Sequence, residues 1–417
     1  MKSYSKFLVR CFRRAFVGSW KYHGWLAILF VLMMLGLNAW CRQLVYGMGT
    51  TGMTDQVSWG IYIANFTFLV GVAASAVMLV IPDYIYKRKE LHHQVIFGEL
   101  LAVEAIIMCL LFIVADLGRP DQMHHMLLRF NFPISVLTWD VIALNGYLLL
   151  NLHIPGYMVY CAYKGKEPTK KFIYPFVFVS IFWALSIHTV TAFLYSGLGG
   201  RPFWNSAVLA PRFLASAFAA GPAILILTLQ VIQRRVDWKV EHRSLMTLRS
   251  IVVVTMLINL FLLGSEVFTE FYTSSAHAAS AQYLFLGLHG YNALVPWIWT
   301  AIGLNVIATL MLFLPASKSK NPLVLNVACV MLIIGIWIEK GMGLIIPGFI
   351  PSPLGEIVEY LPTLNESLIC FGIWAAGIFI YSILVRITVP VLSGTLTEEK
   401  ADRAEAERKL AAEASKS

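Results

Sequence analysis

The stretch Val57-Ser58-Trp59-Gly60-Ile61-Tyr62-Ile63-Ala64-Asn65-Phe66-Thr67-Phe68-Leu69-Val70-Gly71-Val72-Ala73-Ala74-Ser75-Ala76 continues through Val77-Met78-Leu79-Val80-Ile81-Pro82 without one charged residue. As a helix rising about 1.5 Å per residue, such a run is longer than the roughly 30 Å of bilayer hydrocarbon. Its interruptions are Gly, Ser, Thr and Asn, which a helix bundle tolerates where neighbours satisfy the backbone, and it lacks the strict alternation of a barrel strand. The run predicts a membrane-spanning helix.

Working outward, comparable runs cover about 25 to 46, 57 to 82, 95 to 116, 133 to 160, 172 to 197, 208 to 232, 245 to 272, 290 to 314, 322 to 345 and 366 to 390. The expected fold is therefore all-α and integral to the membrane, with about ten transmembrane helices in a single membrane domain over 1–417. Composition agrees: 58% of residues are apolar and 13% charged, with a mean hydropathy of +0.71. That leaves too little polar surface for a soluble protein of 417 residues.

The basic residues set the orientation. Segments on the amino-terminal side of alternating spans hold 26 of the 32 Lys and Arg, whereas the other side is assigned Arg42, Arg119, Arg129, Arg201 and Arg212, and Lys340 falls inside a span. The positive-inside rule then places both termini in the cytoplasm, in the cytoplasmic (inner) membrane of a prokaryote. The formal charge of +9 follows from this topology and contact with anionic lipid, and no nucleic-acid partner is needed. The first span lacks a small-residue cleavage site and is expected to remain in the mature protein. Residues 391–417 are read as a charged, solvated cytoplasmic tail.

Cys11, Cys41, Cys109, Cys161, Cys329 and Cys370 form no CxxC pair or cluster-binding run, so they read as packing residues. Haem b needs two facing histidines at matched depth, and only His188 lies well inside a span. The protein is expected to carry neither haem nor iron–sulfur cluster, and no metal site.

Carboxylates and imidazoles at membrane depth are expensive and need a partner, water or a function. Counting inward from the non-cytoplasmic ends puts Asp140 roughly 10 Å, Asn65 roughly 12 Å and His188 roughly 13 Å deep, with Glu104 and Glu99 at about 18 and 25 Å. His188, Thr191 and Tyr195 share one helical face by their i, i+3, i+7 spacing, with Trp59, Tyr62 and Trp139 available as aromatic walls. A flat aromatic ligand with two carbonyl or hydroxyl oxygens suits such a layer. His188 or Asn65 alone serves equally as a hydrogen bond between helices. Glu99 and Glu104 cannot bond each other directly, so a proton relay through them needs water. A second cluster, Glu266 and Glu270 with Glu339 and Lys340, reads first as a neutralised packing device, with proton transfer as the other possibility.

Asp116-Leu117-Gly118-Arg119-Pro120, the opening Val57 to Asn65, the small-residue stretch Gly71 to Ala76, His188-Thr189-Val190-Thr191-Ala192 and Arg201-Pro202-Phe203-Trp204 together resemble the NrfD/PsrC family of quinone-interacting membrane subunits. The resemblance implies two four-helix bundles, 57–197 and 208–345, flanked by helices at 25–46 and 366–390. It implies menaquinone or another quinone as substrate, bound near the periplasmic face of the first bundle by Trp59, Tyr62, Asn65, Trp139, Asp140, His188, Thr191 and Tyr195. His188 and Asp140 are the candidate acid/base pair, and Asp140, Glu104 and Glu99 the implied proton path. The implied partners are a periplasmic iron–sulfur protein, a multihaem cytochrome c, and other membrane and cytoplasmic redox subunits. Asp116, Arg119 and Arg201 are candidate partner contacts, although Gly118 and Pro120 also explain 116–120 as a simple helix stop.

The leading expectation is a quinone-reactive subunit of a multi-subunit oxidoreductase. A proton- or ion-coupled secondary transporter is the alternative, since buried carboxylates and small-residue packing occur there too. A purely structural anchor for redox subunits is the third.

Overall fold

The computed structural model describes residues 2–86, 91–236, 238–272, 278–319, 321–403 and 406–407. Its helices are α1 Lys2–Ala15, α2 Trp20–Tyr46, α3 Ile61–Ala74, α4 Val77–Val80, α5 His92–Asp116, α6 His124–Leu128, α7 Val136–Tyr163, α8 Lys170–Ser196, α9 Leu209–Arg235, α10 His242–Tyr272, α11 Ala278–Phe285, α12 Val295–Phe313, α13 Leu323–Lys340, α14 Met342–Ile345 and α15 Leu364–Leu392. Among the described residues the sole β pairing is an isolated bridge between Leu288 and Tyr291. The molecule is an all-α, multi-pass membrane protein.

Among the described residues nine passages are long and apolar enough to cross a bilayer: α2, α3 with α4 as far as Ile85, α5, α8, α9, α10, α12, α13 with α14 as far as Phe349, and α15. At 28 residues α7 is long enough to be a tenth, but Asp140, Asn145, Asn151 and His153 dilute its hydropathy. It runs the length of antiparallel α8. Near its start Asp140 bonds Thr191, late in α8. At its far end the Tyr163 hydroxyl accepts from Arg10 at 2.7 Å, and Arg10 in turn meets Asp402 at 2.6 Å.

The passages through α3, α5, α7 and α8 pack on one another, as do α9, α10, α12 and α13, while α2 and α15 pair along the outside of α5. Helices in lipid gain little from burying apolar surface against each other, so association rests on close packing and interhelical hydrogen bonds. Small residues supply the close approach. A Cβ added to Gly36 of α2 would stand 2.6 Å from Gly372 Cα of α15, and Gly221 of α9 leaves the space that Ser75 fills beside α4. Helix α3 is not capped by a side chain at its N-cap. Instead the Tyr360 hydroxyl accepts from Ile61 N–H at 3.0 Å and donates to Glu366 Oε1 at 2.6 Å. Glu366 also completes a capping box with Thr363 at the head of α15, an arrangement worth about 0.5–2 kcal/mol.

Two features depart from the sequence expectations. Residues before the first span form an amphipathic helix: α1 buries Phe7, Cys11 and Ala15 and leaves Leu8 and Phe12 exposed. The tail is not simply solvated, because Glu398 pairs with Lys164 at 2.6 Å and Asp402 with Arg10. These cations hold both carboxyls below the usual carboxylate range, chiefly by hydrogen bonding. Residues 404–405 and 408–417 of the expected tail lie outside the described residues.

Candidate functional site

His188, Thr191 and Tyr195 occupy the buried face of α8, as their spacing predicts. Thr191 Oγ1 lies 2.8 Å from Asp140 Oδ1 and 2.8 Å from its own helix's Ile187 carbonyl, so a single hydroxyl proton serves two acceptors. Among the described residues Asp140 Oδ2 has no hydrogen-bond partner, and the His188 ring has only the Ala184 carbonyl of its own helix beside it, although each residue is only 1% exposed. Leaving a buried acceptor unbonded costs roughly 1–3 kcal/mol, so such atoms mark water, a ligand or a proton. His188 Nε2 points across to Gly71 of α3.

Above this layer the Tyr195 hydroxyl meets Thr67 Oγ1 at 2.5 Å. Thr67 lies 2.7 Å from the Ile63 carbonyl and donates to it, so Tyr195 is the donor between the two hydroxyls. The Tyr195 ring joins an aromatic cluster in which Trp59 stacks on Trp204 at 5.7 Å and Phe349 stands edge-on to both indoles. Phe213 closes the inner side against Tyr195 at 5.9 Å. Trp204 is anchored by its indole N–H on the Leu344 carbonyl at 2.9 Å. The Arg-Pro-Phe-Trp motif pointed to Trp204, but no sequence signal identified Thr67, Phe213 or Phe349 as neighbours.

Three expected wall residues are elsewhere. Tyr62 faces α2, donating to Gln43 at 2.7 Å. Asn65 uses its carbonyl oxygen to accept both Trp337 and Trp374 indole N–H groups, at 3.0 and 2.9 Å, tying α3 to α13 and α15. Trp139 is 41% exposed and donates to the Pro133 carbonyl. All three have suitable depth but the wrong direction around their helices.

The proposed proton carboxylates also diverge. Cys109, near Asp140, lies on the α5 face toward α3, whereas Glu104 is beside Tyr381 of α15. Glu99 lies near Asp83, Tyr84 and Tyr147. Glu99 and Glu104 are buried, and each has an Oε2 without a partner. The structure therefore does not string Asp140, Glu104 and Glu99 along one face.

Asp116 and Arg119 do not pair. Arg119 forks onto Asp121 at 2.8 and 3.0 Å and holds that exposed carboxyl down to about 2, chiefly by hydrogen bonding. Asp116 turns inward toward Tyr62 and Glu366. Arg201 is engaged within the protein, 4.5 Å over the Phe349 ring and 3.3 Å from its carbonyl.

The second cluster is organised by a residue that the basic-residue count had assigned to the outer side. Arg212 is buried in α9, pairs with Glu266, and meets Glu339 at 2.9 Å. Asn305 donates to Glu339 Oε2 at 2.8 Å, with the Asn259 amide 3.4 Å from Oε1. The expected neutralising cation, Lys340, instead stands 4.0 Å from Glu339 without a hydrogen bond. Adjacent positions on a helix lie about 100° apart, so Lys340 turns toward Phe213 and α3 and reaches Glu339 only at the edge of ion-pair range.

Comparison with known proteins gives a consistent picture. The family model described as "Polysulphide reductase, NrfD" matches residues 49–350. A putative dimethyl sulfoxide reductase membrane subunit of Halobacterium salinarum is 26% identical over 346 residues, spanning 78% of this protein and 77% of that one. The Hdr-like menaquinol oxidoreductase integral membrane subunit of Archaeoglobus fulgidus is 23% identical over 64% of this protein and 65% of its own length. A polysulfide reductase chain of Wolinella succinogenes is 28% identical over 186 residues, which are 42% of this protein and 58% of that one.

Proposed function

Because the chain belongs to the NrfD family of quinone-interacting membrane subunits of reductase complexes, we propose that it binds menaquinone or menaquinol beside Asp140 and His188 and exchanges electrons with a periplasmic iron–sulfur partner. The observation that carries this reading is the unbonded, buried Asp140 Oδ2 one helix away from the His188 imidazole, in a layer covered by Trp59, Trp204 and Tyr195. Quinone reduction takes up two protons with two electrons, and quinol oxidation releases them, so two acid/base groups match the demand. Thr191 fixes one Asp140 oxygen and leaves the other to give or take a proton. His188 supplies the second exchange on its imidazole. Since both residues are almost wholly covered, the ring gains access when the half-buried Trp59 swings from its stack on Trp204.

The 26-to-5 basic asymmetry supports cytoplasmic termini and a periplasmic site. We assign the two groups of four packed passages to two functional halves, with Glu104 and Glu99 as the inward proton route, joined by water around α5. We assign the exposed Arg119–Asp121 fork to the surface on which a periplasmic iron–sulfur protein or a multihaem cytochrome c docks, with Asp116 turned inward behind it. The sequence motifs look most like those of DsrP, a ten-helix subunit of a dissimilatory sulfur-metabolism complex, and this likeness supports a sulfur-respiratory setting. Ion-coupled transport is the second reading, favoured by the interruptions at 75–76 in the α3 passage and at Gly341 after α13.

In proteoliposomes carrying the assembled complex, His188→Ala and Asp140→Asn should each lower quinone turnover by about 10²- to 10⁴-fold. Electron exchange within the iron–sulfur partner, independent of quinone, should persist. Full turnover in both assembled variants would overturn the site; ion flux without quinone would favour transport.

A further inference from the structure

Two small clefts lie on either side of the Glu339–Lys340 step of α13. The first, a cavity of about 20 Å³, is lined in part by Arg212, Glu266, Glu270 and Glu339. The second, about 10 Å³, lies where α3, α9 and α13 meet and is lined in part by Thr67, Gly71, Phe213, Ser216 and Lys340. A polar cavity needs about 10–15 Å³ to hold a water, so the first has room for one and the second just reaches that size. Lys340 is 3% exposed, its ammonium has no hydrogen-bond acceptor among the described residues, and it lies 5.4 Å from the Phe213 ring. Behind Gly71 on the α3 wall of the second cleft, His188 Nε2 is 3.8 Å from the point where a Cβ on Gly71 would stand. A buried lysine with only a 4.0 Å ion pair and no hydrogen bond is costly unless its proton is exchangeable or water reaches it.

We infer that Lys340 is a proton carrier joining His188 to the carboxylates of the second group, and so to the first cleft, an inference that rests on the quinone reading above. In the direction of quinol oxidation, one proton leaves the His188 imidazolium for water beside Gly71, and that water passes a proton to the neutral amine of Lys340. The ammonium then releases one through the Glu339 and Glu266 pair that shares Arg212, to water in the first cleft. No electron moves in these steps, and no bond between heavy atoms changes. The charges facing Lys340 suit this role, since Glu339 attracts the ammonium at 4.0 Å, while Arg212, bound to the same carboxylate, opposes it and keeps the proton from being trapped.

The test compares wild type, His188→Ala, Lys340→Met, Lys340→Arg and Gly71→Ala in the assembled complex, measuring quinone turnover, quinone binding and proton release to the outer medium. Arginine keeps a charge but does not release its proton. Both Lys340→Met and Lys340→Arg should therefore slow turnover and proton release at least about tenfold, with quinone affinity within about twofold of wild type. Gly71→Ala fits sterically, since its methyl would stand 3.5 Å from Ala217 Cβ; by displacing the cleft water it should slow release severalfold while sparing assembly. Wild-type rates in Lys340→Arg would show a fixed structural cation and overturn the inference, as would wild-type release in Gly71→Ala. If those variants run normally while His188→Ala is slow, the connection falls and the quinone site stands. A normal rate in His188→Ala removes both.

Discussion

Two buried carboxylates, Glu339 in the second group and Asp140 in the first, are held in opposite ways. Both oxygens of Glu339 are occupied, by Arg212 and by Asn305 with Asn259 nearby, and Glu266 shares the same guanidinium. Asp140 receives one shared hydroxyl proton, while its other oxygen has no partner among the described residues. A carboxylate filled on both oxygens fixes helices and penalises removal of any partner, whereas a half-filled one keeps free energy in reserve for a ligand. Stability and turnover should therefore separate between the two regions.

The strongest test of that separation is Asp140→Asn. Beyond the loss of turnover by about 10²-fold or more, it should leave thermal unfolding in detergent nearly unchanged, because the lost Oδ2 had no partner to strand. A large drop in melting temperature without loss of turnover would reverse the roles of the two regions. Arg212→Met should do the opposite. It strands two buried carboxylates, a change that typically costs about 3–5 kcal/mol, and it should appear as poor assembly and a lowered unfolding midpoint. Restoring charge balance with Glu266→Gln in the same protein should recover part of that loss.

Asn65→Leu sharpens the comparison within the first group. It removes the acceptor of two indole N–H groups and should cost about 1–3 kcal/mol per stranded donor, with a greater loss of stability than of turnover per assembled complex. Equal losses would return Asn65 to the quinone layer. The smallest effect belongs to the clasp of α1 and α7 on the tail, read by the distance between spin labels at Lys6 and Ala401. Arg10 and Lys164 depress the Asp402 and Glu398 pKa values, so the clasp is favoured above the ordinary carboxylate values and weakens as pH falls through the depressed ones. The distance should hold from about pH 8 to pH 5 and lengthen only below about pH 4.

The spans were legible because a bilayer demands long apolar runs, and even α7, weakened by Asp140 and Asn151, keeps the needed length. Direction around a helix was legible only where the sequence states it twice, as in the i, i+3, i+7 set of His188, Thr191 and Tyr195. Tyr62, Asn65 and Trp139 sit alone on their turns, and only packing decides which neighbour they face. Arg212 was assigned to the outer side because it lies within four residues of the helix start, where position along the sequence does not separate a loop cation from a buried one. The closeness of Gly71, Phe213 and Lys340 arises between helices far apart in sequence, which no local pattern records.

The contact of Gly36 with Gly372 has a consequence in time. The two glycines are 336 positions apart, the difference of their numbers, and they belong to the first and last passages that pair along α5. At about 5–20 residues per second of synthesis, α2 waits for tens of seconds in the bilayer before the helix that covers its glycine notch exists. During that interval lipid, or another protein, must occupy the groove. The first of these membrane passages to be made is therefore among the last to be seated.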